Sequence, residues 1–210
     1  MSSGVPAPSR RLRHRSWTEV EFASLDFETT GLDPKRDAVV SFGVVPVRRG
    51  RVILGESVYR EVAPAAPLKP SSIVVHGLRP MDLEGAPGMD ASRDALRVAL
   101  DGRFVLAWAA EVEASFLATV FGGRPAGWGR RIVDVLRLAV LADHLDGAAG
   151  RKGDYGLSAA AARYGVPVER PHHALDDALT TAQVFLVVMP RLVPRGYGTP
   201  RRLLRASRRS

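Results

Sequence analysis

Residues 22–27 are apolar enough for a buried strand, and that strand ends in acidic residues. Residues 38–47 and 51–59 follow as two more strands, joined by a turn at Arg49-Gly50. Pro64, Pro67 and Pro70 make 62–70 a loop. Beyond it the periodicity changes. Asp90 caps a helix running to Leu100, and 103–107 is a short apolar strand. Helices are predicted at about 110–121, 134–145 and 157–164, with a glycine-rich loop at 147–156 before the last. A final helix from Ala174 to Met189 carries apolar residues at helical spacing and stops at Pro190, which lacks the N–H a helix needs. Strands first, then helix and strand in alternation, predict an α/β fold: a mixed sheet flanked by helices, in a single domain over 18–190. No internal repeat interrupts it.

Charge changes the picture at the two ends. The chain has 210 residues and a formal net charge of +8. Arg10, Arg11, Arg13 and Arg15 lie within residues 1–17, and seven arginines lie within 191–210, with no acid in either segment. The body between them carries a net charge of −3. The expectation is a mildly acidic domain with two flexible basic tails, 1–17 and 191–210, suited to a polyanionic partner, since arginines that neutralise phosphates release counterions. Solubility alone is the plainer explanation of the same arginines. Cysteine is absent, which excludes a disulfide scaffold, a thiolate metal site and a cysteine nucleophile. No apolar run is long enough to span a membrane, and the N-terminus has no apolar signal core; the expectation is a soluble intracellular protein.

The chemistry sits in two distant segments. In SLDFETTGLD, residues 24–33, Asp26 and Glu28 are two apart on a strand and share one face, while Leu25 and Phe27 face the core. Adjacent carboxylates repel unless a cation lies between them, and Mg²⁺ or Mn²⁺ suits oxygen ligands. Thr29, Thr30 and Gly31 offer hydroxyls and a close backbone approach at the strand end. Taken alone, the pattern also fits a solvated edge strand. In PHHALDDALTTAQVF, residues 171–185, His172 and His173 precede a helix whose first turns hold Asp176 and Asp177. Either aspartate could simply favour the helix N-terminus; a histidine five residues earlier could instead hang above a carboxylate and take a proton from water.

Together these segments resemble the DEDDh family of 3′–5′ exonucleases, which includes the proofreading epsilon subunit of bacterial DNA polymerase III, ribonuclease T and oligoribonuclease. The first family motif matches at Asp26, Glu28, Thr29, Thr30 and Gly31, and the third at His172, Ala174, Asp177 and Ala178. This register selects His172 over His173 and Asp177 over Asp176. VVHGL (74–78), IVDVLRLA (132–139) and the LSAAAARYGV run are also similar to family segments. The second motif departs from the pattern. Aligning Phe116-Leu117 with its closing Phe-Leu puts Glu113 at the family aspartate and Trp108-Ala109 at the usual His-Asn. Positions 113, 116, 117, 120 and 121 share one helical face, whereas Glu111, two residues and about 200° away, points elsewhere. Glu113 is longer than aspartate by one C–C bond, roughly 1.5 Å, and keeps the charge.

The resemblance implies a ribonuclease H-like fold and a two-metal site with Mg²⁺ or Mn²⁺. In it Asp26 would bridge both ions, Glu28 and Asp177 would hold the first, and Glu113 would help hold the second. His172 would be general base for the attacking water. Thr29, Thr30, Gly31 and Leu32 would lie against the terminal nucleotide. The implied activity is hydrolysis of DNA from single-stranded or frayed 3′ ends, releasing nucleoside 5′-monophosphates in proofreading or repair, in a cytoplasmic, nucleoid-associated protein. Trimming of short RNA is the alternative within the enzyme class, and a catalytically impaired nucleic-acid-binding domain the alternative outside it. A polymerase subunit as partner follows only from family membership. His76 reads as a loop or core histidine, Trp108 as the end of a core run, and Asp134 as a helix cap with room for a supporting role.

Overall fold

The computed structural model describes residues 5–148 and 155–208; the centre of the loop predicted at 147–156, and Arg209, lie outside the described residues. In chain order the strands and helices are β1 (Glu21–Thr29), β2 (Val39–Arg48), β3 (Arg51–Val52), β4 (Val58–Glu61), α1 (Pro70–His76), α2 (Met89–Leu100), β5 (Phe104–Ala107), α3 (Glu111–Phe121), α4 (Pro125–Trp128), β6 (Ile132–Asp134), α5 (Val135–Leu145), α6 (Leu157–Arg163), α7 (Ala174–Leu192) and α8 (Pro200–Ala206).

One mixed sheet holds all six strands, in the order β3-β2-β1-β5-β6 with β4 beside β3 on the same edge of β2. β1 is antiparallel to β2 and parallel to β5, which is parallel to β6. Alternation along β1 divides the interior in two. Ala23, Leu25 and Phe27 pack with Phe116 and Leu117 of α3 and Leu96 of α2. Phe22 packs on the opposite face with Phe185 of α7, ring centroids 5.2 Å apart, and with α5, α6 and α8. Each such fully buried aromatic contributes roughly 1.5–3 kcal/mol. Asp26 and Glu28 therefore emerge on the α7 face of the central strand.

Several predicted boundaries are corrected. The strand expected over 51–59 is broken by a 3-10 turn, Leu54–Glu56, into β3 and β4. The loop expected to end at Pro70 does so, because Pro70 opens α1, an N-terminal position where its missing N–H costs nothing. Gly88, not Asp90, is the N-cap of α2. Helix α7 does not stop at Pro190 but continues to Leu192. Met189 and Leu192 are both fully buried, and that burial holds the last turn together across the proline.

The two basic tails are corrected as well. Arg10–His14 forms a 3-10 turn, and the Trp17 N–H donates to the Gly198 carbonyl at 2.9 Å. Thr199 caps α8, which buries Leu203 and Leu204 in the core and turns Arg201, Arg202 and Arg205 outward. Two leucines in seven residues are too short a signal for periodicity to detect.

Between β5 and α3 the backbone of Ala109 is left-handed, at φ 55°. A Cβ is disfavoured there by about 1 kcal/mol. Ala109→Gly is therefore expected to raise the melting temperature by about 2–4 °C, as thermal unfolding would report; a decrease would contradict this origin of strain.

Candidate active site

Five elements bring the site together at the C-terminal end of β1. Asp26 pairs in register with Gly43 of β2. A Cβ at Gly43 would collide with the Ala174 carbonyl and with Leu175 Cα, so the missing side chain lets the start of α7 lie directly on the sheet. An isolated glycine inside a strand pattern signals such an approach, and here it went unread. The contact delivers Asp177 to the carboxylates of β1.

The loop before α7 separates the two histidines and the two aspartates. His172 has a left-handed backbone, φ 62°, and its N–H donates to Asp177 Oδ2 at 3.0 Å. Asp177 is buried, and ligand atoms of Glu28, His172 and Asp177 all lie within 4.8 Å of one another. Asp176 turns away to Arg170, at 2.6 Å, and to His173 Nδ1, at 3.4 Å. The His173 ring stacks on Tyr59 with centroids 4.5 Å apart. Adjacent positions in this segment thus form separate groups.

Glu113 comes from the first turn of α3 and is 4% exposed, whereas Glu111 reaches out to Arg137 at 3.3 Å. Glu113 Oε2 has no hydrogen-bond partner among the described residues. Asp134, at the end of β6, fixes the origin of that helix: its Oδ2 accepts the Ala110 N–H at 3.2 Å and its Oδ1 the Arg137 N–H at 3.0 Å.

The electrostatics identify one cluster. Asp26 is held well above the ordinary carboxylate range by burial and then by the charges of Glu113, Glu28 and Asp177. Burial, then Asp177, pushes Glu28 up to about 8. Burial also pushes Glu113 up to about 8, with Asp134 and Glu28 adding to it. Asp177 is raised by burial and partly lowered again by the His172 N–H and ring. Among the described residues no lysine or arginine offsets any of the four. Buried, mutually repelling oxygen donors with an orphaned carboxylate oxygen fit a hard divalent cation.

The predicted nucleotide-contact residues divide. Leu32 is 76% exposed at the rim, beside the partly exposed Gly31. Thr29 donates its hydroxyl to the Gly31 carbonyl at 2.7 Å. Thr30 is fully buried; its hydroxyl donates to Asp37 at 3.2 Å and accepts the Ala38 N–H at 3.0 Å, and these bonds shape the loop that follows β1. Asp37 is in turn held below its usual range by Lys69, 2.5 Å away. His76 lies near His172, and burial followed by that neighbour's charge keeps its imidazole below its ordinary value.

The raised carboxylates set a pH dependence. A raised folded pKa means the folded state retains protons that the unfolded chain releases above about pH 4.5. Stability of the metal-free protein is therefore highest near pH 5 and is lost as pH rises towards 8. His76 and His173, whose neutral forms are favoured by burial, act in the opposite sense below about pH 6.5. Thermal melts in chelator are expected to shift down by several degrees from pH 6.5 to 8, with Glu113→Gln flattening the profile. A melting temperature that climbs over that interval would contradict the cluster.

The chain is similar to known proteins over most of its length. The family described as exonuclease, of ribonuclease T type, matches residues 24–185. A DNA polymerase III PolC-type protein of Thermotoga petrophila is 29% identical over 175 residues, covering 81% of this chain and 12% of its own. A DNA polymerase III subunit epsilon-like protein of Rhodobacter capsulatus is 28% identical over 184 residues, covering 86% of this chain and 25% of its own. The chain thus spans a quarter or less of these relatives. Among solved structures, E. coli exonuclease I in complex with a dT13 oligonucleotide superposes with a TM-score of 0.69 at 20% identity, over 84% of this chain and 42% of that one. Exonuclease X in complex with 5′-overhanging duplex DNA gives 0.64 at 20% identity, over 89% and 99%. No helix among the described residues is long and apolar enough to cross a membrane.

Proposed function

We propose, from the premise that this chain belongs to the ribonuclease T-type exonuclease family and is a phosphodiester hydrolase acting on nucleic acid, that it removes nucleotides from the 3′ end of DNA. The observation that carries this reading is the convergence of Asp26, Glu28, Glu113 and Asp177, uncompensated by any lysine or arginine among the described residues, beside an exposed histidine. Those four carboxylates would hold two divalent cations, Mg²⁺ or Mn²⁺. Such ions supply positive charge against the phosphate and acidify the attacking water.

The protein's own part is positional. His172, oriented through its backbone N–H on Asp177, accepts the proton of the attacking water at a ring nitrogen. The water oxygen forms a bond to phosphorus, the bond from phosphorus to the 3′ oxygen breaks, and the departing 3′ oxygen takes a proton from solvent. A nucleoside 5′-monophosphate leaves. Gly31 presents backbone and Leu32 an exposed apolar side chain to the terminal nucleotide, with Thr29 bracing the turn between them. Glu113 supplies a carboxylate where the family has aspartate, and a bound cation would favour its ionised form, so turnover is expected despite the longer side chain. DNA polymerase III relatives and DNA-bound structural neighbours favour DNA and a role in proofreading or repair.

The test is hydrolysis of single-stranded DNA and RNA of equal sequence, with the released nucleotide identified by chromatography. Nucleoside 5′-monophosphates released faster from DNA are expected. Faster release from RNA would overturn the substrate assignment, and 3′-monophosphate products would overturn the chemistry.

A further inference from the structure

Many described arginines have acidic partners: Arg48, Arg79, Arg97, Arg103, Arg170 and Arg195 all lie within about 3 Å of a carboxylate. Isolated arginines such as Arg60 have none among the described residues and reach a carbonyl instead, but one face gathers several such side chains together. Arg201, Arg202, Arg205 and Arg208 project from α8 and its end, beside Arg13 of the N-terminal 3-10 turn and Arg130 before β6, and among the described residues no carboxylate pairs with any of them. Arg208 is held below its ordinary value by burial and by the neighbouring charges of Arg13 and Arg130. Instead of carboxylates these side chains reach carbonyls: Arg208 donates to Gly129 at 3.0 Å and Arg13 to Arg130 at 3.4 Å.

Solubility does not require so many arginines gathered on one short helix anchored through buried Leu203 and Leu204. The face borders a cleft of about 1270 Å³ between α5 and α8, whose lining includes the apolar Leu136 and Val140 and the ring of Tyr197. Arg137 lines both this cleft and the adjoining groove beside Ala110 and Asp134. The Asp134 N–H donates to Ser207 Oγ at the end of α8, at 3.1 Å, while its carboxylate holds the start of the helix that carries Glu113. The basic face is therefore tied structurally to the edge of the carboxylate cluster.

We infer that the α8 face is a second nucleic-acid contact site, separate from the carboxylate cluster, which grips the phosphates of a single strand at a distance from the end being cleaved. This rests on the proposed nuclease function. Planar guanidinium groups match phosphate oxygens in pairs, and the adjoining aromatic and apolar surface suits stacked bases. A strand is favoured over an acidic protein because the charge is spread over several elements, α8, the N-terminal 3-10 turn and the segment before β6, as a run of phosphates would require.

The experiment replaces Arg201, Arg202 and Arg205 together by glutamine. These side chains are exposed, so the fold is retained, and an unchanged melting temperature verifies it. Binding of a long oligothymidylate is measured in chelator across a salt series, and hydrolysis of a dinucleotide is measured with divalent cation. Loss of three phosphate contacts is expected to lower the slope of log affinity against log salt by about two, and affinity at ~0.15 M salt by about 50-fold. Dinucleotide turnover is expected to stay at the wild-type value. Wild-type slope and affinity in the triple variant would overturn the inference, and loss of polyglutamate binding alone would reassign the face to an acidic protein. A wild-type protein that binds with the expected slope yet, given divalent cation, hydrolyses neither the dinucleotide nor the oligothymidylate would sink the nuclease reading while leaving this face intact.

Discussion

Asp26→Asn is expected to lower turnover by about 10³-fold, roughly 4 kcal/mol of transition-state stabilisation, while raising the melting temperature of the metal-free protein. Both effects come from the same carboxylate. Asp26 is the group raised by all three of its acidic neighbours, Glu113, Glu28 and Asp177, after burial itself. Replacing it with a neutral isostere removes three repulsions and a buried charge, so the apo fold gains. The same change removes the carboxylate proposed as the central cation ligand, so the reaction is expected to lose. Divalent cation should raise the melting temperature of the wild type by mass action and raise that of the variant much less. Calorimetry with and without Mn²⁺, beside steady-state hydrolysis, separates this account from a plain structural role. An Asp26→Asn protein that is both less stable and less active would indicate a buried polar residue and nothing more.

Gly43→Ala is the second large effect, and it touches no functional group. The added Cβ occupies the place of the Ala174 carbonyl, which is backbone and has nowhere to go without moving α7. Overpacking of this kind costs about 1–3 kcal/mol, equivalent to a fall of about 2–12 °C in melting temperature for a domain of this size. Because α7 carries Asp177 and its preceding loop carries His172, displacement by about 1 Å should also cost about 10²-fold in turnover. Gly55→Ala serves as control, since no atom lies within 4 Å of its hypothetical Cβ. It should leave stability and rate unchanged. Equal behaviour of the two variants would mean that the contact between β2 and α7 does not position the site.

What could be read from the sequence divides along physical lines. Asp26 and Glu28 were legible because strand alternation assigns faces with a period of two, and Leu25 and Phe27 are indeed buried opposite them. The face of α3 was legible because Phe116, Leu117, Val120 and Phe121 define an apolar stripe that includes Glu113. The choice of Asp177 over Asp176 was not available from periodicity. Both lie in the first turn of a helix; the match to the family's third motif chose Asp177, and in the structure the left-handed backbone at His172 and the Arg170 and His173 contacts of Asp176 separate them. Thr30 looks like a ligand group because a hydroxyl after two carboxylates invites that reading; its partners in the structure, Asp37 and Ala38, are set by the turn of the following loop. Helix α8 escaped notice because its stability comes from burying Leu203 and Leu204 against α5 and β6, a tertiary contact that its arginine-rich sequence conceals.

The most direct test of the central claim is the polarity and ion dependence of cleavage on 5′-labelled single-stranded DNA, run with Mn²⁺, with Mg²⁺ and with chelator. The account predicts a ladder that shortens one nucleotide at a time from the 3′ end, appears only with divalent cation and vanishes in Asp26→Asn. Release of labelled mononucleotide as the first product, or a ladder that persists in chelator, would contradict it.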